Sequence, residues 1–132
     1  MKFAICNEIF QGWKLDDVFT HCARLGYDAV EIAPFTLAKY VTDISAAERA
    51  RIRASALRAG IAISGIHWVL AQTEGLYLTS PDAATRARTA QYFNDLVDFC
   101  ADLGGLSIIV GSPKQRSLLP GVTPAQARAW AV

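Results

Sequence analysis

"RAGIAISGIHWVLA", residues 58–71, joins a stretch that ends like a helix to one that begins like a strand. Gly60 closes the arginine-rich segment before it, and glycine takes the left-handed conformation at a helix C-terminus without a Cβ clash. The run that follows, 62–66, is apolar apart from Ser64 and carries no charge. Strands buried on both faces have this character, which is the habit of parallel sheets covered by helices. The same order recurs around Gly26 in "RLGYDAVEIA", 24–33, and around Gly104 in "DLGGLSIIVG", 102–111. Helix, glycine stop and buried strand therefore form a repeating unit, and His67 is set into the end of one such strand.

The segments between the strands carry a helical period. Leu15, Val18, Phe19, Cys22 and Leu25 fall three and four apart on one face. A second helix opens with a possible capping box, Ser45 with Glu48, and turns Ile52, Ala56 and Leu57 inward. A third is expected to use Ser80 as its N-cap and Pro81 as its first residue, and to run to Leu103 with Ala90, Phe93, Val97 and Cys100 on one stripe. A fourth begins at "TPAQ", where Thr123 can cap, Pro124 sits first and Gln126 can reach back. With strands at 3–6, 29–32, 62–66 and 106–110, the order is four β/α units of an α/β protein. A small doubly wound sheet and half of an eight-unit barrel both accept it. A (β/α) barrel takes ~250 residues, and the chain's 132 residues are close to half of that. The last residues, "AQARAWAV", still read as helix. The expectation is one domain, 1–132, forming the first four units of a (β/α)8 TIM barrel.

Composition narrows the partners. Hydrophobic residues make up 52% of the chain, enough to bury a core. The 13 Lys and Arg against 12 Asp and Glu, without a run of four like charges, give no electrostatic footprint for nucleic acid. Cys6, Cys22 and Cys100 form an odd set with no C-x-x-C spacing, which supports neither a disulfide framework nor a structural zinc site and fits a reducing cytoplasm best. No segment approaches the ~18 apolar residues of a membrane span.

Taken together, "LGYDAVEIAPF", "ISGIHWVLA", "TSPDAATRARTAQYF" and "VGSPKQRSLLPGVTPAQA" resemble the sugar phosphate isomerase/epimerase family, the xylose isomerase-like TIM barrels. The resemblance runs along essentially the whole chain. It implies the N-terminal part of an enzyme about twice this length that moves a proton between adjacent carbons of a sugar, sugar phosphate or sugar-like ketone. It also implies a divalent cation (manganese, magnesium, cobalt or zinc) held by carboxylates and a histidine of the second half, so that these 132 residues alone hold none and turn over no substrate. The related type IV endonucleases, which cut abasic DNA, are an alternative on the same fold. A self-pairing half-barrel without catalysis is another, since the outer strands of an open parallel sheet template association.

Active sites of such barrels lie at the C-terminal ends of the strands. His67 ends the third strand, and either contacts substrate hydroxyls, ligates a metal as in the endonucleases, or bonds a carbonyl in the core. Glu31 ends the second strand between valine and isoleucine, where a carboxylate needs a partner: a polar substrate, a cation or a structural ion pair. Glu8 follows the first strand in the equivalent place. In "GSPKQR", Ser112, Lys114 and Arg116 offer a turn and two cations for the anionic or hydroxylated end of a substrate, against the reading of a solvated loop. Trp68 either walls the mouth or is simply packed.

Overall fold

The computed structural model describes residues 1–131. Four parallel strands, β1 (Ala4–Cys6), β2 (Ala29–Ile32), β3 (Ala62–His67) and β4 (Ser107–Ile109), pair in the order β1-β2-β3-β4. Each is followed by a helix: α1 (Leu15–Arg24), α2 (Ala46–Arg58), α3 (Ala83–Leu103) and α4 (Pro124–Trp130). A doubly wound sheet reverses its strand order at a switch point. This sheet adds every new strand beside the last, as a barrel does, and the chain forms four consecutive units of a TIM barrel.

The helix stops work as the glycine pattern implies. Gly26, Gly60 and Gly104 have φ of 85°, 73° and 82°. In each case the next residue's N–H donates to the carbonyl five positions back: Tyr27 to Cys22, Ile61 to Ala56 and Gly105 to Cys100, at 3.1, 3.1 and 2.9 Å. These are Schellman closures, and they aim the chain into the following strand. The core lies between the sheet and its helices. Val30, Ile32, Ile63 and Ile66 from the strands meet Val18, Phe19, Cys22, Ile52, Leu96, Phe99 and Leu103.

Four expectations about the helices are corrected. α3 begins two residues later than the Ser80-Pro81 reading, with Asp82 as its cap: the carboxylate accepts from the N–H of Ala84 (3.3 Å) and Thr85 (2.9 Å). Ser80 is instead buried and accepts from the N–H of Asp82 at 3.2 Å, so it shapes the turn before the helix. The buried stripe of α3 is Thr89, Tyr92, Leu96, Phe99, Cys100 and Leu103, while Ala90 and Val97 face solvent on the neighbouring flank and Phe93 is half-buried. A helix this apolar carries two adjoining stripes, and only one meets the sheet and α2. Leu25 and Leu57, at the last turns of α1 and α2, are exposed, because packing narrows there to Cys22 and Ala56. The Ser45 cap is one-sided: its hydroxyl accepts from the Glu48 N–H, but the Glu48 carboxylate turns to Arg51. The Thr123–Gln126 box is complete.

The path of β3 decides where its side chains go. Ile63 pairs with Val30 and Gly65 with Glu31, leaving Ser64 as an extra residue in the ladder. Ile63, Gly65 and His67 would share one face of a regular strand. The bulge at Ser64 resets the alternation, as bulges beside functional sites do. Ile63 and Ile66 thus both reach the helix-facing core, and His67 emerges on the opposite face with Cys6 and Glu31. That inner face is otherwise small, with Ala4, Ala29, Gly65 and Ser107 along it. Gly65 is obligatory, since a Cβ there would collide with the backbone carbonyl of Ser107 on β4.

Candidate active site

Three strand ends bring their polar residues to one point. Glu31 Oε2 lies 2.7 Å from His67 Nδ1, and both side chains are largely covered. A carboxylate only accepts, so Nδ1 carries the proton and donates, which leaves Nε2 of a neutral ring as the free lone pair. Nε2 faces Cys6 Sγ at 3.6 Å and Glu8 Oε2 at 3.6 Å. The second distance is beyond a hydrogen bond, and Glu8 Oε2 is buried without a hydrogen-bond partner among the described residues. Burial pushes the Cys6 thiol up to about 11; the Glu8 backbone N–H pulls the other way, while the carboxylate charges of Glu8 and Glu31 add smaller pushes upward. At neutral pH it is therefore a weak S–H donor to His67 and no ready nucleophile.

Beside this cluster a cleft of about 720 Å³ opens over the strand ends. Glu8 reaches its lining together with Phe10, Trp13, Phe35, Trp68 and Gln72. The aromatic rings brace one another in pairs, Phe10 against Trp13 at 5.6 Å and Phe35 against Trp68 at 5.7 Å between centroids. Trp68 has φ of 56° and Gln72 of 63°, left-handed conformations that cost non-glycine residues energy and need surrounding support. For Trp68 that support is visible. Its backbone N–H donates to the Ile109 carbonyl at 3.1 Å and its indole N–H to the Gly111 carbonyl at 3.1 Å. The loop after β3 is thus tied to the loop after β4.

The sequence-derived candidates separate into three groups. Glu8, Glu31 and His67 converge, and Trp68 walls the adjoining cleft. Ser112 is buried beneath the loops, where its hydroxyl accepts from the Leu70 N–H at 3.0 Å. Lys114 and Arg116 are exposed on the loop after β4 and do not line the cleft. Two contributors were not singled out from sequence. Cys6 enters the sequence reading only through the cysteine count and spacing, although its place at the end of β1 matches that of Glu31 on β2. Buried Asn7 accepts from the Ala33 N–H at 2.8 Å and donates to Thr36 Oγ1 at 2.7 Å, locking the first two strand-end loops together.

The xylose isomerase-like TIM barrel family model matches residues 19–132. No curated protein sequence matches the chain. Among solved structures, a D-psicose 3-epimerase crystallised in the presence of D-fructose superposes with a TM-score of 0.76 at 26% identity, covering 99% of this chain and 45% of that one. A D-psicose 3-epimerase with D-tagatose from Clostridium cellulolyticum H10 gives the same TM-score at 20% identity and the same coverage, a likeness of fold. The chain therefore spans a little under half the length of these neighbours. With a family match over most of its length and four barrel units in the expected order, the chain belongs to the xylose isomerase-like TIM barrels.

Proposed function

We propose that the chain supplies one half of the substrate site of a sugar isomerase or epimerase. The observation that carries this reading is the convergence of Glu31, His67 and Glu8 at the C-terminal ends of β1 to β3 beside an aromatic cleft. Carboxylates and an imidazole accept and donate hydrogen bonds to hydroxyls, while the rings of Trp68, Phe35, Trp13 and Phe10 offer apolar faces to the C–H side of a sugar. Glu31 holds His67 in one tautomer, so the polar centre is organised before any sugar arrives. A ketohexose fits the family and the chemistry of these groups; the 26%-identical neighbour was crystallised in the presence of one.

Moving a proton between adjacent sugar carbons needs a base at the C–H bond and polarisation of the neighbouring oxygens. A divalent cation supplies that polarisation when bound. The carboxylates and histidine that the resemblance assigns to it lie on later strands, so no residue of this chain is one of them. Within these 132 residues the task is binding and orientation. The cluster also differs from the abasic-endonuclease pattern, whose second histidine follows the fourth strand: the only other histidine here, His21, lies in α1.

Titrating the ¹⁵N-labelled chain with D-fructose and D-tagatose tests the reading. Saturable shifts are expected at Glu8, Glu31, His67 and Trp68, weakened at least tenfold in His67→Ala, with no conversion of either sugar by the chain alone. Shifts confined to the helical face, or none up to molar sugar, would refute it.

A further inference from the structure

We propose that Cys6, Glu8 and His67 form a zinc-binding site, with His67 held for the metal by Glu31. The donor atoms of the three side chains lie within 4.8 Å of one another. A tetrahedral zinc, with bonds of about 2.3 Å to sulfur and about 2.0–2.1 Å to nitrogen and oxygen, sets its S and N ligands about 3.5 Å apart and its N and O ligands about 3.3 Å apart. His67 Nε2 stands 3.6 Å from Cys6 Sγ and 3.6 Å from Glu8 Oε2, close to both edges of that tetrahedron. The third pair, Cys6 Sγ and a Glu8 carboxylate oxygen, lies within 4.8 Å, and rotation of the Glu8 carboxylate toward Cys6 would close that edge.

Two further observations point to a ligand rather than to a finished structural contact. Glu8 Oε2 is buried with no hydrogen-bond partner among the described residues, which is costly for a carboxylate oxygen and is relieved by a cation. The Glu31–His67 bond of 2.7 Å is the carboxylate–histidine arrangement that fixes a metal-binding ring by its far nitrogen, here leaving Nε2 as the donor. The donor set also chooses the ion. A thiolate, an imidazole and a carboxylate suit zinc, whereas magnesium and calcium prefer oxygen donors alone. On binding, Cys6 loses its thiol proton to solvent, and the thiolate and carboxylate charges balance the cation. Three protein donors leave one tetrahedral position for water or a substrate oxygen, as in catalytic rather than structural zinc sites. This site is distinct from the cation that the family resemblance places on later strands, and it stands independently of the sugar reading because the metal itself is the probe.

The chelator-stripped chain is titrated with cobalt(II), a spectroscopic stand-in for zinc. The expected result is a near-ultraviolet sulfur-to-cobalt band and intense visible bands of four-coordinate cobalt. Both saturate at one equivalent and bleach when zinc is added. Cys6→Ser abolishes the near-ultraviolet band, Cys22→Ser with Cys100→Ser leaves it, and Glu31→Gln weakens binding about 10–100-fold. Far-ultraviolet circular dichroism checks that each variant folds. Weak six-coordinate absorption in the unmutated chain, no saturation at millimolar cobalt, or a sulfur band that survives in Cys6→Ser overturns the proposal.

Discussion

At Ser64 a single additional residue in β3 separates Ile66, which enters the core, from His67, which leaves it. A one-residue slip in a strand exchanges its faces, so the site depends on this irregularity as much as on the histidine. Gly65, immediately after the bulge, has no room for a methyl group beside the Ser107 carbonyl. Gly65→Ala must push β4 away from β3, and a loss of about 2–3 kcal/mol in urea unfolding is expected. Little or no change would mean that the two strands lie further apart than described. Asn7→Ala removes both hydrogen bonds that join the first two strand-end loops and strands the Ala33 N–H. A cost of about 2 kcal/mol is expected from that buried donor, read from the same unfolding curves.

The helices carry their own tests. Asp82→Ala is expected to destabilise by about 1 kcal/mol through loss of the α3 cap, measured by thermal or chemical unfolding; an unchanged midpoint would contradict the assignment of Asp82. Between α1 and α2, the Ser55 hydroxyl donates to Asp16 at 2.5 Å and Arg51 adds a paired contact, holding the Asp16 carboxyl below its ordinary value of 3.8. Because the folded value is the lower one, the ionised carboxylate contributes stability above about pH 3.8, and that contribution is lost as the pH falls further. The advantage of the parent chain over Asp16→Asn should therefore shrink on acidification below pH 4 in pH-dependent unfolding; a constant difference would rule out the coupling. These elements also mark the limits of sequence reading. The strands and glycine stops were legible because apolar runs and C-terminal glycines have local causes, and each strand lies within about one residue of its expected span. The α3 start was not, because Ser-Pro and Asp both make good helix openings and only burial of Ser80 decides between them. Glu31 and His67 were legible as polar residues in apolar strands. Their partnership with Cys6 and Glu8 was not, since it arises from strand register and the bulge.

Across the whole molecule the sheet has one face packed by helices and another that leaves Ser107 and Ile109 exposed on β4, with Leu106 and Val97 exposed nearby. An edge strand with apolar neighbours favours pairing with another chain. Concentration-dependent self-association is expected in light scattering, reduced by Ile109→Lys; a strictly monomeric chain at high micromolar concentration would contradict this. The sugar and zinc proposals share one requirement, that β1, β2 and β3 present Cys6, Glu31 and His67 on a common inner face. Histidine-selective ¹⁵N NMR in alkaline buffer tests it most directly, with His21 of α1, which lies outside the cluster, as the internal comparison. The account predicts His67 protonated on Nδ1, with the proton signal lost or the tautomer reversed in Glu31→Ala. An Nε2-protonated His67 that is indifferent to residue 31 would contradict it.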